Sequence, residues 1–241
     1  MKTFSIIIPI YNESESIFDL IKEIHSEFKK NTPELIIVDD GSNDDFYKQR
    51  NELKKLKVKI LRHKKNLGKC RAMLTGISNA RNNLVCIMDG DGQNPPYEVK
   101  KMMAFLRNLS KKEQYNSLIC GNRKIRKDTF TKRLSSKVAN TIRKFLLKDD
   151  CNDTACALKV FNRSDYLKIK YFRNMHRFLP ALFKMNNCKI FNVQVDDRLR
   201  YSGVSKYSFN NRFWVGIIDL IKVYFLTKKR RNKWRLNKFG L

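Results

Sequence analysis

The hydrophobic positions of the first 109 residues follow two alternating patterns. Short, almost wholly apolar runs occur at residues 4–11, 35–38, 58–61 and 84–88, and each has the length of one buried strand. The segments that follow these runs carry apolar residues at helical spacing, with charged residues between them. This repeated β-α order predicts an α/β fold, with a mostly parallel open sheet and helices on both faces.

The second half of the chain has a less regular pattern. Residues 117–121, 157–161 and 190–195 are predicted to be strands. Residues 175–186 have helical spacing, and Pro180 either kinks this helix or restarts it. No internal repeat or low-complexity linker interrupts the chain, which indicates one main domain.

Two segments combine apolar residues with a strong basic character. One is a helix predicted around Val138 and Phe145, and the other is WVGIIDLIKVYFL at residues 214–226, which is followed by four basic residues. Helices of this kind lie on acidic membrane surfaces, although a solvated helix or a core helix has the same pattern. Neither segment reaches the roughly 20 apolar residues that span a bilayer. We expect one domain over residues 1–210 and a membrane-associating, basic amphipathic tail over residues 211–241.

The composition adds a large positive charge and free thiols. The chain has 51 Lys+Arg against 23 Asp+Glu, a formal net charge of +28. Such a surplus favours an anionic partner, either a membrane face or a nucleic acid, but a genome biased towards Lys, Asn and Ile would also produce it. None of the six cysteines forms a C-x-x-C pair, so zinc-binding spacing is absent and a reducing compartment is expected. We therefore expect a cytoplasmic protein.

The candidate chemistry lies directly after the strand at 84–88. The sequence DGDGQ places Asp89, Asp91 and Gln93 on alternate positions, separated by glycines. Carboxylate and amide oxygens suit Mg²⁺ or Mn²⁺, especially when substrate phosphates supply further ligands. An Asp-Gly turn is the alternative interpretation. Because open α/β sheets bind ligands at the carboxyl ends of their strands, we predict a metal–phosphate site here.

Eight segments, in order, resemble one known family. They are SIIIPIYNE, ELIIVDDGSNDD, NLGKCRAMLTGI, IMDGDGQNPP, GNRKIRKD, KRLSSKVAN, NDTACALKVF and RYSGVSKY, and they cover roughly residues 4–207. Together they resemble the family 2 glycosyltransferases, which have the GT-A fold. Within that family the chain looks most like the branch that transfers a sugar to a polyprenyl phosphate, the dolichol-phosphate mannosyltransferase type. Its D-G-D differs from the D-A-D of many such members, and the extra glycine predicts a more flexible loop.

This resemblance implies roles for individual residues. The residues expected to bind the nucleotide sugar are Pro9, Tyr11, Glu13, Asp40, Gly68, Lys69 and Asp89. The residues expected to hold Mg²⁺ or Mn²⁺ are Asp89, Asp91 and Gln93. The residues expected to bind the acceptor phosphate are Arg123, Arg133 and Ser135. The residues expected to act in catalysis are Asp91, Arg123, Asp153, Arg200 and Lys206.

The resemblance also implies a reaction and its partners. A sugar, with mannose favoured, would pass with inversion from a GDP- or UDP-linked donor to dolichyl or undecaprenyl phosphate at the cytoplasmic face of the membrane. A phosphate acceptor is already an anion, so the enzyme needs no strong general base, and the chain has only three histidines. The alternative is a saccharide acceptor, with Asp153 as the base. A nucleic-acid-binding protein is suggested by charge alone, and since no nucleic-acid motif is present we expect no nucleic-acid partner.

Overall fold

The computed structural model of the chain describes residues 3–124, 140–201 and 216–228. Seven strands within these residues form one sheet. Their bounds are β1 Ser5–Ile10, β2 Glu34–Asp39, β3 Lys59–Arg62, β4 Leu84–Ile87, β5 Ser117–Arg123, β6 Lys159–Asn162 and β7 Lys189–Val195. The strand order across the sheet is β3-β2-β1-β4-β6-β5-β7.

Helices connect most of these strands. Their bounds are α1 Ser14–Phe28, α2 Phe46–Lys55, α3 Lys69–Ser78, α4 Pro96–Asn108, α5 Lys111–Tyr115, α6 140–147, α7 Arg163–Leu167, α8 Leu179–Met185 and α9 216–228, where α6 and α9 are given as far as they are described. Two 3₁₀ turns occur at Lys29–Asn31 and Met175–Phe178.

The sheet is mostly parallel, as the sequence predicts. β1 pairs in parallel with β2 and β4, β2 with β3, and β5 with β7. The exception is β6, which runs antiparallel to both β4 and β5. The strand predicted at 157–161 is therefore the one that reverses direction. Apolar residues alone do not encode strand direction, so the pattern gave no sign of this reversal.

Both faces of the sheet are covered, which is why its central strands are apolar at every position. Ile6 and Ile8 of β1 point into a core shared with α1, α2 and α4. Ile7 points the opposite way, into a core shared with α3, α7 and α8. Val223 of α9 is fully buried in this second core. The prediction of helices on both faces is thus confirmed.

One local prediction needs correction, and another is decided between its two alternatives. The spacing of Asn12 and Glu15 predicts a capping box, but the side-chain oxygen of Asn12 accepts a hydrogen bond from the backbone N–H of Asn43 instead. In residues 175–186 the restart at Pro180 is confirmed: a 3₁₀ turn ends at Phe178, and α8 starts with Pro180 in its first turn. Proline restarts the helix here because its fixed φ suits the first turn.

The apolar segment at 214–226, within the tail predicted over 211–241, is helical where it is described, since α9 covers 216–228. One side of α9 packs on the second core through Val223, while Ile218, Ile221 and Phe225 are exposed. Among the described helices, none combines the length and the apolar character required to cross a bilayer.

Candidate active site

The carboxyl ends of β1, β2 and β4 meet at one edge of the sheet and enclose a cavity of about 130 Å³. This edge lies where the strand order reverses around β1, the usual ligand position in an open α/β sheet. The cavity brings together every residue predicted to bind the nucleotide sugar, with two of the predicted catalytic residues: Pro9, Tyr11, Glu13, Asp40, Gly68, Lys69, Asp89, Asp91 and Arg200. A second cavity of about 580 Å³ adjoins it and shares Tyr11, Asp89, Asp91 and Arg200.

The loop that carries Gly68 and Lys69 is held in place by Asp40. One carboxylate oxygen of Asp40 accepts hydrogen bonds from the backbone N–H of Leu67 at 2.9 Å and from Nδ1 of His63 at 2.7 Å. The other accepts from the backbone N–H of Gly68 at 2.7 Å. Asp40 is 3% exposed. It therefore orders the loop that leads into α3, in addition to lining the cavity.

Residues 89–93, which follow β4, form a segment that we call the acidic loop. Each of its two aspartates faces a cation in the cavity. Nζ of Lys69 lies 2.5 Å from an oxygen of Asp89. The guanidinium of Arg200 lies 2.9 Å from Asp91 and 3.7 Å from Glu13. These pairs place opposite charges at the wall of an open cavity, where an incoming phosphate or cation can take the place of either partner.

The surroundings of Asp91 disfavour the ionised form of its carboxyl group. Burial and the negative charge of Asp89 raise the pKa of Asp91 to about 6, against the opposing effects of the backbone N–H of Gln93 and the charge of Arg200. A bound divalent cation would relieve both causes, because it supplies the missing positive charge beside the two carboxylates.

The two glycines of the acidic loop are required by close contacts. A Cβ atom on Gly90 would lie 2.5 Å from Cγ2 of Ile10. Gly92 has a φ of +75°, and a Cβ atom there would lie 2.2 Å from the ring of Tyr201. These packed neighbours hold Asp91, which lies between the two glycines. The close contact at Gly90 accounts for the glycine at that position. The expected gain in loop flexibility is not needed to explain it.

A hydrogen-bonded cluster that has no signature in the sequence connects the segment around Arg200 to the acidic loop. Arg198 binds both carboxylate oxygens of Glu23 on α1, at 2.6 and 3.0 Å, and donates to the carbonyl of Gly92 at 2.6 Å. The hydroxyl of Tyr201 donates to the same carboxylate at 2.5 Å. The backbone N–H of Tyr201 donates to the carbonyl of Asp91 at 3.2 Å. We call Glu23, Arg198 and Tyr201 the clamp.

The clamp holds Arg200 from both sides, since Arg198 and Tyr201 flank that residue in sequence and both bind Glu23. Although burial opposes it, the hydrogen bonds from Arg198 and Tyr201 lower the pKa of Glu23, so this carboxylate stays ionised. Glu23 lies 175 positions from Arg198 in the chain, and no local motif joins them. Only the folded chain reveals the cluster.

Arg123 and Asp153, both predicted to be catalytic, form a closed pair with each other. Arg123 binds both oxygens of Asp153, at 2.6 and 3.1 Å, and lies 3.6 Å from Asp197. The two side chains are 16% and 6% exposed. Although burial opposes it, the carboxylate of Asp153 raises the pKa of Arg123 above its usual value. Neither residue lines the two cavities described above.

The other predicted residues fall into two groups. Gln93 lines the larger cavity, and its backbone N–H donates to Asp91 at 3.1 Å. Arg133, Ser135 and Lys206 lie outside the described residues. The acceptor-phosphate role given to Arg123, Arg133 and Ser135 therefore stays a prediction.

The residues of the acidic loop fit a divalent cation that shares its ligands with a substrate. In the described ranges no three His, Cys, Asp or Glu side chains are grouped as a complete metal site. Two carboxylates in an open cavity are nevertheless what Mg²⁺ or Mn²⁺ uses when phosphates and water complete its shell. Asp89 and Asp91 would hold such an ion, with Gln93 as the remaining candidate ligand.

Basic residues that the sequence did not single out also line the larger cavity. They come from the segment at 171–177 and from β6: Lys159, Arg173, His176 and Arg177. The sequence pattern predicted a strand at 157–161 and a helix at 175–186, but cations spaced irregularly along the chain have no recognisable period.

Comparison with known proteins decides the family. A model of the family "Glycosyl transferase family 2" matches residues 5–170, more than half of the chain. The chain belongs to glycosyl transferase family 2. It is 32% identical over 232 residues to dodecaprenyl-phosphate galacturonate synthase of Rhizobium johnstonii. It is 29% identical over 215 residues to undecaprenyl-phosphate 4-deoxy-4-formamido-L-arabinose transferase of Proteus mirabilis.

These family 2 relatives are longer than the chain. The matches cover 93% and 85% of the chain, but only 67% and 63% of the two relatives. Among solved structures, glucosyl-3-phosphoglycerate synthase of Mycobacterium tuberculosis in complex with Mn²⁺, UDP and glucosyl-3-phosphoglycerate has a TM-score of 0.68 at 16% identity. That match covers 93% of this chain and 79% of the other, and it confirms the GT-A fold.

Proposed function

We propose that this glycosyltransferase moves a sugar from a nucleoside diphosphate sugar to a polyprenyl phosphate, with a divalent cation held by Asp89 and Asp91. The observation that carries the proposal is the cavity at the strand ends, which unites both aspartates with Lys69 and Arg200. The two curated relatives support the acceptor, since both are named as transferases or synthases of polyprenyl-phosphate sugars.

The donor would lie with its diphosphate against the acidic loop. Bound there, the cation would act as a Lewis acid that neutralises charge on the leaving diphosphate. Arg200 and Lys69 add positive charge at the same place, and in this role they exchange their carboxylate partners for phosphate oxygens. The nucleotide would extend towards Tyr11, Glu13 and Asp40, which line the same cavity.

The reaction itself is a displacement at the anomeric carbon. An oxygen of the acceptor phosphate forms the new bond to that carbon as the bond to the diphosphate breaks, so the anomeric configuration inverts. The nucleoside diphosphate leaves with the bonding electron pair. The acceptor phosphate arrives ionised, and the principal task of the protein is to position it for in-line attack.

A saccharide acceptor would need a base, and the structure gives Asp153 little freedom to be one. Its carboxylate is bound by Arg123 and also accepts from the backbone N–H groups of Ala155 and Cys156, at 3.1 and 3.3 Å. A base role would require this buried pair to open. The polyprenyl phosphate acceptor is the better supported of the two.

Membrane contact is the second part of the proposal. The exposed side of α9 carries Ile218, Ile221 and Phe225, and the sequence continues into Lys228-Lys229-Arg230-Arg231. An apolar helix side beside a basic cluster suits the inner, anionic face of a membrane, where the acceptor lipid resides. Replacing Ile218 and Phe225 by serine should reduce pelleting with anionic vesicles, and equal pelleting would contradict this contact. Deleting the helix is a poorer test, because Val223 belongs to the core.

The transfer assay tests the proposal directly. The protein is incubated with Mn²⁺, undecaprenyl phosphate and one radiolabelled donor at a time, including GDP-mannose, UDP-glucose and UDP-galacturonate. Label should pass into the lipid phase with undecaprenyl phosphate and not with undecaprenol. Transfer to a glycan but to no lipid phosphate would overturn the acceptor. The same set of donors tests the prediction of mannose, which the names of the two relatives do not share.

A further inference from the structure

The cations that line the larger cavity are of two kinds. Lys69 and Arg200 each lie within 3 Å of an aspartate, at 2.5 and 2.9 Å. Arg173, Arg177 and Lys159 form no ion pair with any acid in the described part of the chain. The first two are therefore paired with carboxylates before any ligand binds, whereas the other three leave positive charge in the cavity.

One of these three cations, Lys159, is buried. Lys159 of β6 is only 3% exposed, and its ammonium donates to the carbonyls of Thr154, at 3.3 Å, and Cys156. A buried ammonium without a carboxylate is costly unless an anion comes close. Arg173 and Arg177 line the same cavity as Lys159.

The segment that carries these arginines is fixed to the first turn of α3. The backbone N–H of His176 donates to Sγ of Cys70 at 3.3 Å, and Nδ1 of His176 lies 3.0 Å from the same sulfur. Cys70 directly follows Lys69, the partner of Asp89. The guanidinium of Arg71 lies 5.5 Å from the ring centre of Tyr171. The segment is thus connected to Lys69 and the acidic loop through α3.

The same segment is also fastened to α9. The side-chain amide of Asn174 donates to Asp219 at 3.0 Å, and Nζ of Lys222 lies 5.0 Å from the ring centre of Phe172. A Cβ atom on Gly216 would lie 3.8 Å from the guanidinium of Arg177. The exposed side of α9, with Ile218 66%, Ile221 50% and Phe225 62% exposed, begins at this point.

We infer that Arg173 and Arg177, together with Lys159, bind the phosphate of the acceptor lipid, while the exposed side of α9 receives the start of its isoprenoid chain. This rests on the proposed function and assigns its acceptor subsite. A dianionic head and an apolar chain match positive residues on a segment that is bonded to a helix with an exposed apolar side. Arg123, which the sequence predicts to bind this phosphate, pairs with Asp153 and Asp197, and its phosphate role stays a prediction.

Binding of a short lipid phosphate tests the assignment without the donor. Farnesyl phosphate, farnesol and inorganic phosphate are titrated into wild type, the double variant Arg173→Ala/Arg177→Ala, and the control Arg107→Ala. Arg107 is an exposed arginine on α4, at the opposite face of the sheet. The double variant should bind farnesyl phosphate about 100-fold more weakly, at about tenfold per charged hydrogen bond. Its affinity for UDP with Mn²⁺ and its melting temperature should match those of the control.

The outcomes separate the subsite from the function. If wild type binds farnesyl phosphate and the double variant binds it as tightly as the control does, the subsite is wrong and the proposed function stands. If wild type binds no farnesyl phosphate, the lipid acceptor itself is overturned. A further variant, Ile221→Ser/Phe225→Ser, should weaken farnesyl phosphate binding and leave inorganic phosphate binding unchanged. Equal affinity of this variant and wild type for farnesyl phosphate would overturn the role of α9.

Discussion

Arg200 and Arg123 both bind an aspartate, but in different surroundings. Arg200 approaches Asp91 at 2.9 Å from the wall of an open cavity. Arg123 binds both oxygens of Asp153 at 2.6 and 3.1 Å, in a pair that is 16% and 6% exposed. In the first pair a phosphate or a cation can replace either partner, whereas in the second the partners satisfy each other. The same residue types thus form an accessible pair in one place, suited to the ligand binding that we propose, and a buried pair in the other.

The largest effect is expected at the pair of Arg200 and Asp91, which we call the open pair. Asp91→Ala should lower transfer at least about 100-fold, because a residue that holds the cation acts on the developing charge. The melting temperature should not fall, because the substitution removes a carboxylate whose ionised form is disfavoured. Burial and the charge of Asp89 disfavour that form and raise the pKa of Asp91. Transfer rates and thermal melts of the same preparation check both parts. Near-normal turnover would remove Asp91 from the site.

At the closed pair, stability should change more than chemistry. Arg123→Ala removes the guanidinium that binds both oxygens of the buried Asp153 carboxylate, which typically costs about 3 kcal/mol or more. The melting temperature should fall by about 6–12 °C. Lys48→Ala is the matched control, because Lys48 pairs with Asp45 at the surface and is 76% exposed. A stable Arg123→Ala protein with a strongly raised KM for the lipid would support the predicted phosphate role of Arg123 and contradict a purely structural one.

The clamp offers a test of how the open pair is positioned. Glu23→Gln weakens the hold on Arg198 and Tyr201, so the Arg200 segment loses its fixed place on the acidic loop. We expect kcat/KM to fall about tenfold, as for a misplaced catalytic group. The control is Glu27→Gln, one turn further along α1, where Glu27 pairs only with Lys100 at 2.7 Å among the described side chains. Equal rates for the two variants would show that the clamp does not position Arg200.

The smallest effect is the pH dependence of the cation-free protein. Because the pKa of Asp91 is raised to about 6 by burial and by Asp89, ionising it in the folded state costs free energy, and stability is lost as the pH rises through about 6. In EDTA, Asp91→Asn should therefore be more stable than wild type at pH 8, by an amount on the order of 1 kcal/mol. Below about pH 4 the two proteins should melt alike. A constant difference at all pH values would contradict this assignment.

The sequence was informative about the open pair and silent about the closed one. Asp89 and Asp91 follow an apolar strand, and strand ends meet at one edge of a parallel sheet, so their neighbourhood with Tyr11 and Asp40 was predictable. The pairing of Arg123 with Asp153 depends on β6 running antiparallel to β5, which the apolar pattern does not encode. Glu23 and Arg198 meet only because α1 and the segment after β7 both border the acidic loop.

Binding of UDP with and without a divalent cation is the sharpest test of the proposed metal site. Wild type is titrated with UDP in Mn²⁺ and in EDTA, and Asp91→Asn is titrated in the same way. Mn²⁺ should tighten UDP binding to wild type at least about tenfold, a coupling of about 1.4 kcal/mol, and Asp91→Asn should lose this gain. Equal affinity of wild type for UDP in both conditions would contradict a cation shared between Asp89, Asp91 and the diphosphate.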